Sequence, residues 1–477
     1  MKRKLTEDWL AVWLGLLFFA LSLASLFGAD VLGWAVTTSV WTRLSTALAP
    51  ASKVYAFLPG VVSLLVTYLA LLAILTLGAK ALGADGKRFA VGFTGVFAAG
   101  YLSWIIGSWA YIAATPDKRG SFGIGWSLNL TNESGYIVAL LLGLPIGNFF
   151  PYGAARMKEA IRPELYIKIG IVLLGGTLGI TAAEQTALAS SMMFRGLCAI
   201  VEAYLLYWAV VYFVARKYFG FSREWAAPLA SGISICGVSA AIATGSAIKA
   251  RPIVPVMVSS LVVIFAVMEM LLLPFLAQTF LSHEPMVAGA WMGLAVKTDG
   301  AAVTSGAITE ALIRAKAAAQ GIHYQPGWIM GATTTVKVFI DVFIGVWTFV
   351  LAWIWSAKIE PRPGQKVKAI EIWERFPKFI LGYGATFLGI FALVMLAPAA
   401  IPKAKAAMAQ TNVFRGIFFV MTFFAIGVVS DFRKLWQEGI GKLALVYVLC
   451  LFGFIIWVGL AVSWLFFHGV LPPLVKG

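Results

Sequence analysis

The sequence predicts an all-α polytopic membrane protein with roughly 11–13 crossings and two discontinuous helices. Three features carry that expectation. Hydrophobic residues make up 61% of the 477 and charged residues only 12%, about half the charge of an average soluble protein. Apolar runs repeatedly reach the roughly 20 residues that cross a bilayer core. Two stretches, Trp225–Arg251 and Gly293–Glu310, are apolar yet studded with Gly, Ser and Thr. Glycine interrupts helices, and non-helical backbone at membrane depth survives only where protein or a watery cavity satisfies it. A pair of interrupted segments in one chain is the sequence pointer to a transporter binding site.

The elements follow in order. Basic residues MKRK precede an apolar run at 9–27. It is longer than a signal-peptide h-region and lacks an A-x-A cleavage site, so it reads as a retained first helix. Residues 30–50, with Trp34, Trp41 and Arg43, read as interfacial. Further spans fall near 54–78, 89–114, 136–150, 165–182, 193–215, 254–279, 328–355, 378–399, 411–430 and 441–468. The run at 136–150 is short for a crossing and reads as tilted or partly re-entrant. The linker 356–378 contains Pro361, Pro363 and Gly364 and divides the chain. Ala425–Asp431 faintly echoes Gly175–Thr181, each before a polar loop and a long apolar span.

The net charge of +16 belongs to short loops, so it reads as topology rather than nucleic-acid binding, for which no motif is present. Lys2, Arg3 and Lys4 place the N-terminus in the cytoplasm, and the linker 356–378 is a basic cytoplasmic segment. Loop charge leaves the side of the C-terminus open. It also leaves open whether the interrupted segments cross or re-enter. Lys249 and Arg251 favour cytoplasmic re-entry for the first; the second would then enter from outside and the tips would meet near the midplane.

Cys198, Cys236, Cys450 and the scattered His283, His323 and His468 form no disulfide framework or metal-ligand spacing. No nucleotide loop, nucleophile elbow or sizeable soluble domain is present, so neither an enzyme nor a cofactor is expected.

In the first interrupted segment the candidates are Ser234, Cys236, Gly237 and Ser239. Helix N-termini at a break expose unpaired N–H groups that hold an anion without a basic side chain. The alternative is close packing through small residues. The second segment supplies Lys297, Thr298, Asp299 and Gly300. A Lys or Asp at membrane depth costs roughly 2.5–3.5 kcal/mol on insertion scales unless paired or hydrated. Lys297 reads as an anion partner and Asp299 as a coupling-ion site, against a mutually neutralised Lys297–Asp299 pair. Lys337 and Asp341, four apart on one helical face, read as cavity-lining, or else as an internal salt bridge. Glu202 and Glu269 read as protonated core groups or coupling-proton sites. Lys168 reads as snorkelling, and Asn148 as a cap or substrate contact.

Several of these stretches resemble the YeiH-like bacterial membrane proteins described as sulfate exporters. The likeness rests on Leu141–Asn148, Ile167–Gly175, Ala425–Asp431 and above all Ile235-Cys236-Gly237-Val238-Ser239-Ala240, and covers roughly residues 136–468. It implies kinship with cation–proton antiporters and bile-acid transporters: inverted repeats, a core domain with the broken helices, a scaffold beside it, a homodimer, and a bacterial inner membrane. Lys297-Thr298-Asp299 stands where relatives tend to show His-Asp-Thr, and the first spans and residues 311–327 lie outside the compact pattern. The chain then divides into N-terminal spans (1–135), a core transport region (136–355), the linker (356–378) and C-terminal spans (379–477). The expected activity is secondary transport of a small anion, coupled to H+ or Na+. A sodium–proton exchanger is the alternative, and a membrane enzyme or sensor the alternative of another class.

Overall fold

The computed structural model describes residues 5–114, 118–128, 134–184, 186–251, 253–359, 373, 377–430 and 441–475. Among them, ten helical spans are long and apolar enough to cross a membrane, and a pair bent by 113° makes an eleventh. The crossings are α1 (Glu7–Leu23), α2 (Gly60–Ala81), α3 (Gly86–Gly107), α4 (Ser134–Phe149) bent into the short α5 (Pro151–Met157), and α6 (Pro163–Glu184). Next come α7 (Thr186–Lys217), the broken pair α8 (Arg223–Ser234) and α9 (Val238–Ala247), and α10 (Ile253–Phe280). The second broken pair is α11 (Pro285–Ala295) and α12 (Asp299–Ala318), followed by α13 (Trp328–Ile354), α14 (Phe379–Leu396), α15 (Ile401–Val429) and α16 (Gly441–Phe467). The interfacial stretch after α1 folds into a short antiparallel pair, Val36–Thr38 with Leu48–Pro50.

Local chemistry starts the helices where the sequence changes character. Thr6 caps α1 by accepting from Trp9 N at 3.4 Å, with Glu7 and Asp8 in the first turn, where acidic charge complements the helix dipole. Asp85 caps α3, accepting from Lys87 N at 2.9 Å and Arg88 N at 3.1 Å.

Ion pairs sort the helix ends onto two faces. Arg162 pairs with Glu7, and Asp8 meets Lys168 Nζ at 2.8 Å and Lys378 N at 3.2 Å. The starts of α1, α6 and α14 therefore share one face, called here the N-terminal face. Lys403 Nζ donates to Leu26 O and Lys405 pairs with Glu184, which brings the start of α15 to the opposite face.

Both broken segments are re-entrant hairpins. In the first, Thr244 Oγ1 lies 2.7 Å from Ser231 Oγ, and Arg251 Nε pairs with Glu224 at 3.0 Å. Residues thirteen and twenty-seven apart touch only if α9 folds back on α8. In the second, Gly293 of α11 and Gly306 of α12 both lie against Thr333 of α13. At its open end Lys316 Nζ donates to Gln278 O at 3.0 Å. Between the hairpins runs α10, whose 28 residues span about 42 Å, so the hairpins enter from opposite faces. That settles the question left open by loop charge: the interrupted segments add no crossings, and the count falls to ten or eleven. The chain's end pairs with the loop before α13, through Gln325 N to Pro473 O and Val475 N to His323 O. It lies on the face opposite the N-terminus.

The helices pack in two groups. One comprises α1, α3, α4, α6, α14 and α15, with α2 against α3; the other comprises α7 to α13 with α16. Lipid offers no hydrophobic drive between helices, so close contact through small residues does that work. Gly143 and Gly147 of α4 press against the backbone of α15 at Phe424 and Val428. Most of the linker 356–378, and Asp431 of the faint repeat, lie outside the described residues.

Candidate functional site

The site is where the two hairpin tips meet. Gly237 takes φ +67° and ψ −116° as α8 turns into α9, a backbone region nearly confined to glycine. A Cβ there would stand 3.0 Å from Thr298 Cγ2 and 3.3 Å from Lys297 O, so one tip rests on the other. Thr298 caps α12 by accepting from Ala301 N at 3.2 Å. The first tip has no side-chain cap at α9. Two helix N-termini, each with unpaired N–H groups and partial positive charge, therefore converge on one place.

The C-terminal ends of α8 and α11 converge there too, and Lys337 serves both. Its Nζ, reaching in from α13, donates to Ile235 O at 2.9 Å and Lys297 O at 3.1 Å, with Val296 O at 3.5 Å. A buried ammonium is the natural partner for carbonyls at a helix C-terminus. Lys337 is 2% exposed, and its nearest acid is Asp299, at 3.8 Å.

This corrects two expected pairings. Lys297 does not pair with Asp299. Its Nζ instead turns back to Leu294 O and sits 4.6 Å from the centre of the Tyr207 ring, while its backbone N donates to Glu269 Oε2 at 2.9 Å. The ion pair that closes on Lys337 comes from Asp299 on another helix, not from Asp341 four residues on. Asp299 and Asp341 stand side by side there, both buried. Cys236 Sγ and one oxygen from each of these carboxyls lie within 4.8 Å of one another. Those three atoms could ligate a cation, but the Lys337 ammonium already stands beside them.

Behind this centre lies a second polar layer. Tyr207 donates to Glu202, and both belong to a π-helical turn, Glu202–Tyr207, inside α7. Such turns interrupt the regular ladder and recur at functional sites. Ser231 accepts from Trp208 Nε1 at 2.9 Å. The hydroxyls of Ser234, Thr304, Ser305 and Thr309 are buried with no protein partner. A cavity of about 30 Å³ touches Thr298 and Gly300 and is lined across the group boundary by Glu164, Ile167, Thr422 and Ile426. That volume holds a water molecule.

The structure thus gathers Ser234, Cys236, Gly237, Lys297, Thr298, Asp299, Gly300, Lys337 and Asp341. The side chain of Ser239 lies outside the described residues. Asn148 does not join them: its Nδ2 donates to Leu144 O and Ser430 O, tying the bend of α4 to the end of α15. Lys168 is held by Asp8 and Glu164 near the start of α6. Sequence reasoning missed Tyr207 as the partner of Lys297. It also missed Glu310, whose oxygens accept from Gly327 N at 2.7 Å and Met330 N at 3.0 Å and cap α13.

The sequence profile of the family described as Conserved hypothetical protein 698 matches residues 123–446. A UPF0324 membrane protein from Nitrosomonas europaea is 44% identical over 98% of this chain and 97% of its own. A protein from Archaeoglobus fulgidus is 50% identical over 31% of this chain and 91% of its own. A UPF0324 membrane protein from Nitratidesulfovibrio vulgaris is 27% identical over 83% of this chain and 63% of its own. No solved structure matches.

Proposed function

The chain belongs to the Conserved hypothetical protein 698 family of UPF0324 membrane proteins, and from that premise we propose that it is a secondary active transporter of a small anion. Sulfate, an organic sulfonate or a carboxylate would bind at the hairpin tips. The observation that carries this reading is the contact of Gly237 with Thr298. It aims two helix N-termini at one point, with Lys337 alongside. Unpaired N–H groups and an ammonium are what an oxyanion needs. The Asp299–Asp341 pair, with carboxyl oxygens within 4.8 Å of one another, would carry the coupling proton. The two helix groups would move against each other, exposing the tips to each face in turn. The N-terminus would lie on the cytoplasmic side of a bacterial inner membrane, as the basic residues at 2–4 support.

Labelled-sulfate and labelled-sulfonate counterflow in proteoliposomes tests this, with wild type against Lys337→Met. Saturable wild-type exchange that the variant loses supports the reading. Wild-type protein that exchanges no anion of the set refutes it. A second reading, a sodium–proton exchanger, has one observation in its favour: the Cys236, Asp299 and Asp341 ligand atoms lie within 4.8 Å of one another. Sodium-driven pH jumps in the absence of any transportable anion would support that alternative.

A further inference from the structure

Arg415 stands midway along the 29-residue helix α15, about 20 Å from either end at 1.5 Å per residue. Its guanidinium meets Met330 in the first turn of α13, toward the face opposite the N-terminus. Antiparallel neighbours fix its depth as well. Asn412, one turn earlier, accepts from Thr177 Oγ1 at 3.0 Å, and Phe419, one turn later, packs on Gly170. Arg415 is therefore level with the middle of α6.

At that depth a guanidinium normally pairs with an acid or with backbone carbonyls. Among the described residues Arg415 has neither. Its Nη1 lies 3.6 Å from the Met330 thioether, a weak acceptor. Its carbon centre is 5.7 Å from the middle of the Phe419 ring, and its Nε is buried without an acceptor. Five donors in a planar fork are nearly idle. Such a fork matches the paired oxygens of a carboxylate, sulfonate or sulfate.

Its placement connects it to the hairpin tips. Arg415 belongs to the first helix group and Met330 to the second, so the guanidinium bridges the boundary across which the groups would move. On α13, Met330, Thr334, Lys337 and Asp341 succeed one another at four, three and four residues, the spacing of one helical face. Arg415 thus lies about two turns from Lys337 along that face, roughly 10 Å, toward the face opposite the N-terminus.

We infer that Arg415 is a second anion ligand of the transport site, receiving the oxyanion from the hairpin tips on the opposite-face side. This rests on the anion-transport reading above. An anion between Lys337 and Arg415 has positive charge ahead and behind along that stretch of α13.

The test is counterflow of labelled sulfate, a labelled sulfonate and labelled acetate by the full-length protein in proteoliposomes, with Arg415→Met, Arg415→Gln and Arg415→Lys. Thermal unfolding is measured on the same preparations. Expected are Arg415→Met and Arg415→Gln variants with a Tm at or above wild type, because an unpaired charge has been removed. Their exchange should show KM raised at least about tenfold, with Arg415→Lys intermediate. Wild-type-like KM in Arg415→Met and Arg415→Gln, on a background of active wild type, overturns this inference and leaves the transport reading standing. Failure of both variants to fold makes Arg415 a structural anchor and also overturns it. Wild type inert toward all three anions overturns both.

Discussion

Gly237 and Thr298 hold the two hairpins tip to tip: a Cβ on the glycine would come within 3.0 Å of Thr298 Cγ2 and 2.7 Å of Val262 Cγ1. The contact has no slack, and the glycine's positive φ leaves no side chain a relaxed place. Gly237→Val should therefore fail twice, through backbone strain of about 1–3 kcal/mol and through displacement of the second tip. A lowered Tm together with loss of anion exchange is expected. Unchanged values of both would show that the tips do not meet.

Lys337→Met should be more damaging than a surface lysine change. The substitution leaves the Ile235 and Lys297 carbonyls without their donor and Asp299 without its nearest cation. Removing one partner of a buried ionic cluster costs about 3–5 kcal/mol. Thermal unfolding in detergent reads this directly. Lys337→Met combined with Asp299→Asn should recover part of the loss, since the uncompensated charge is then removed.

Asp299→Asn and Asp341→Asn separate binding from coupling. If the pair carries the coupling proton, each variant should still exchange anion for anion. Neither should accumulate it when a pH gradient is imposed. Accumulation at the wild-type level in both variants would remove the pair from the mechanism.

Topology gives a prediction independent of transport. Arg251→Cys at the open end of the first hairpin and His468→Cys near the chain's end should react with an impermeant thiol reagent from opposite faces of intact cells or vesicles. The three native cysteines are buried, which keeps background labelling low. Labelling of both from one face would contradict the opposed hairpins.

The clasp between Glu224 and Arg251 should matter little, and only above acidic pH. The side-chain hydrogen bond from Arg251 holds the Glu224 carboxyl below its ordinary range. A carboxyl lowered by folding contributes stability above its unfolded pKa and loses it as pH falls through the folded value. Arg251 is exposed and Glu224 partly so, so Glu224→Gln should cost no more than about 1 kcal/mol at neutral pH. The difference in Tm from wild type should vanish on acidification.

The sequence by itself determined the membrane class, the order of the long helices and the two places where the helix breaks. Length, hydropathy and glycine content act locally, and lipid tolerates few other solutions. It also named most of the residues at the tips, because Lys and Asp inside apolar runs are conspicuous. Tertiary structure alone decided which charges meet. Lys337 answers Asp299 and two helix ends rather than Asp341, and Lys297 turns to Tyr207, because a hairpin brings partners together that chain spacing keeps apart. The same holds for Arg415. The apolar run suggests a span from 411, which sets this arginine near an end, whereas the helix begins at Ile401 and carries it to the middle. Hydropathy marks where a chain is apolar, but a helix continues as far as its backbone hydrogen bonds do, and those depend on what packs beside it.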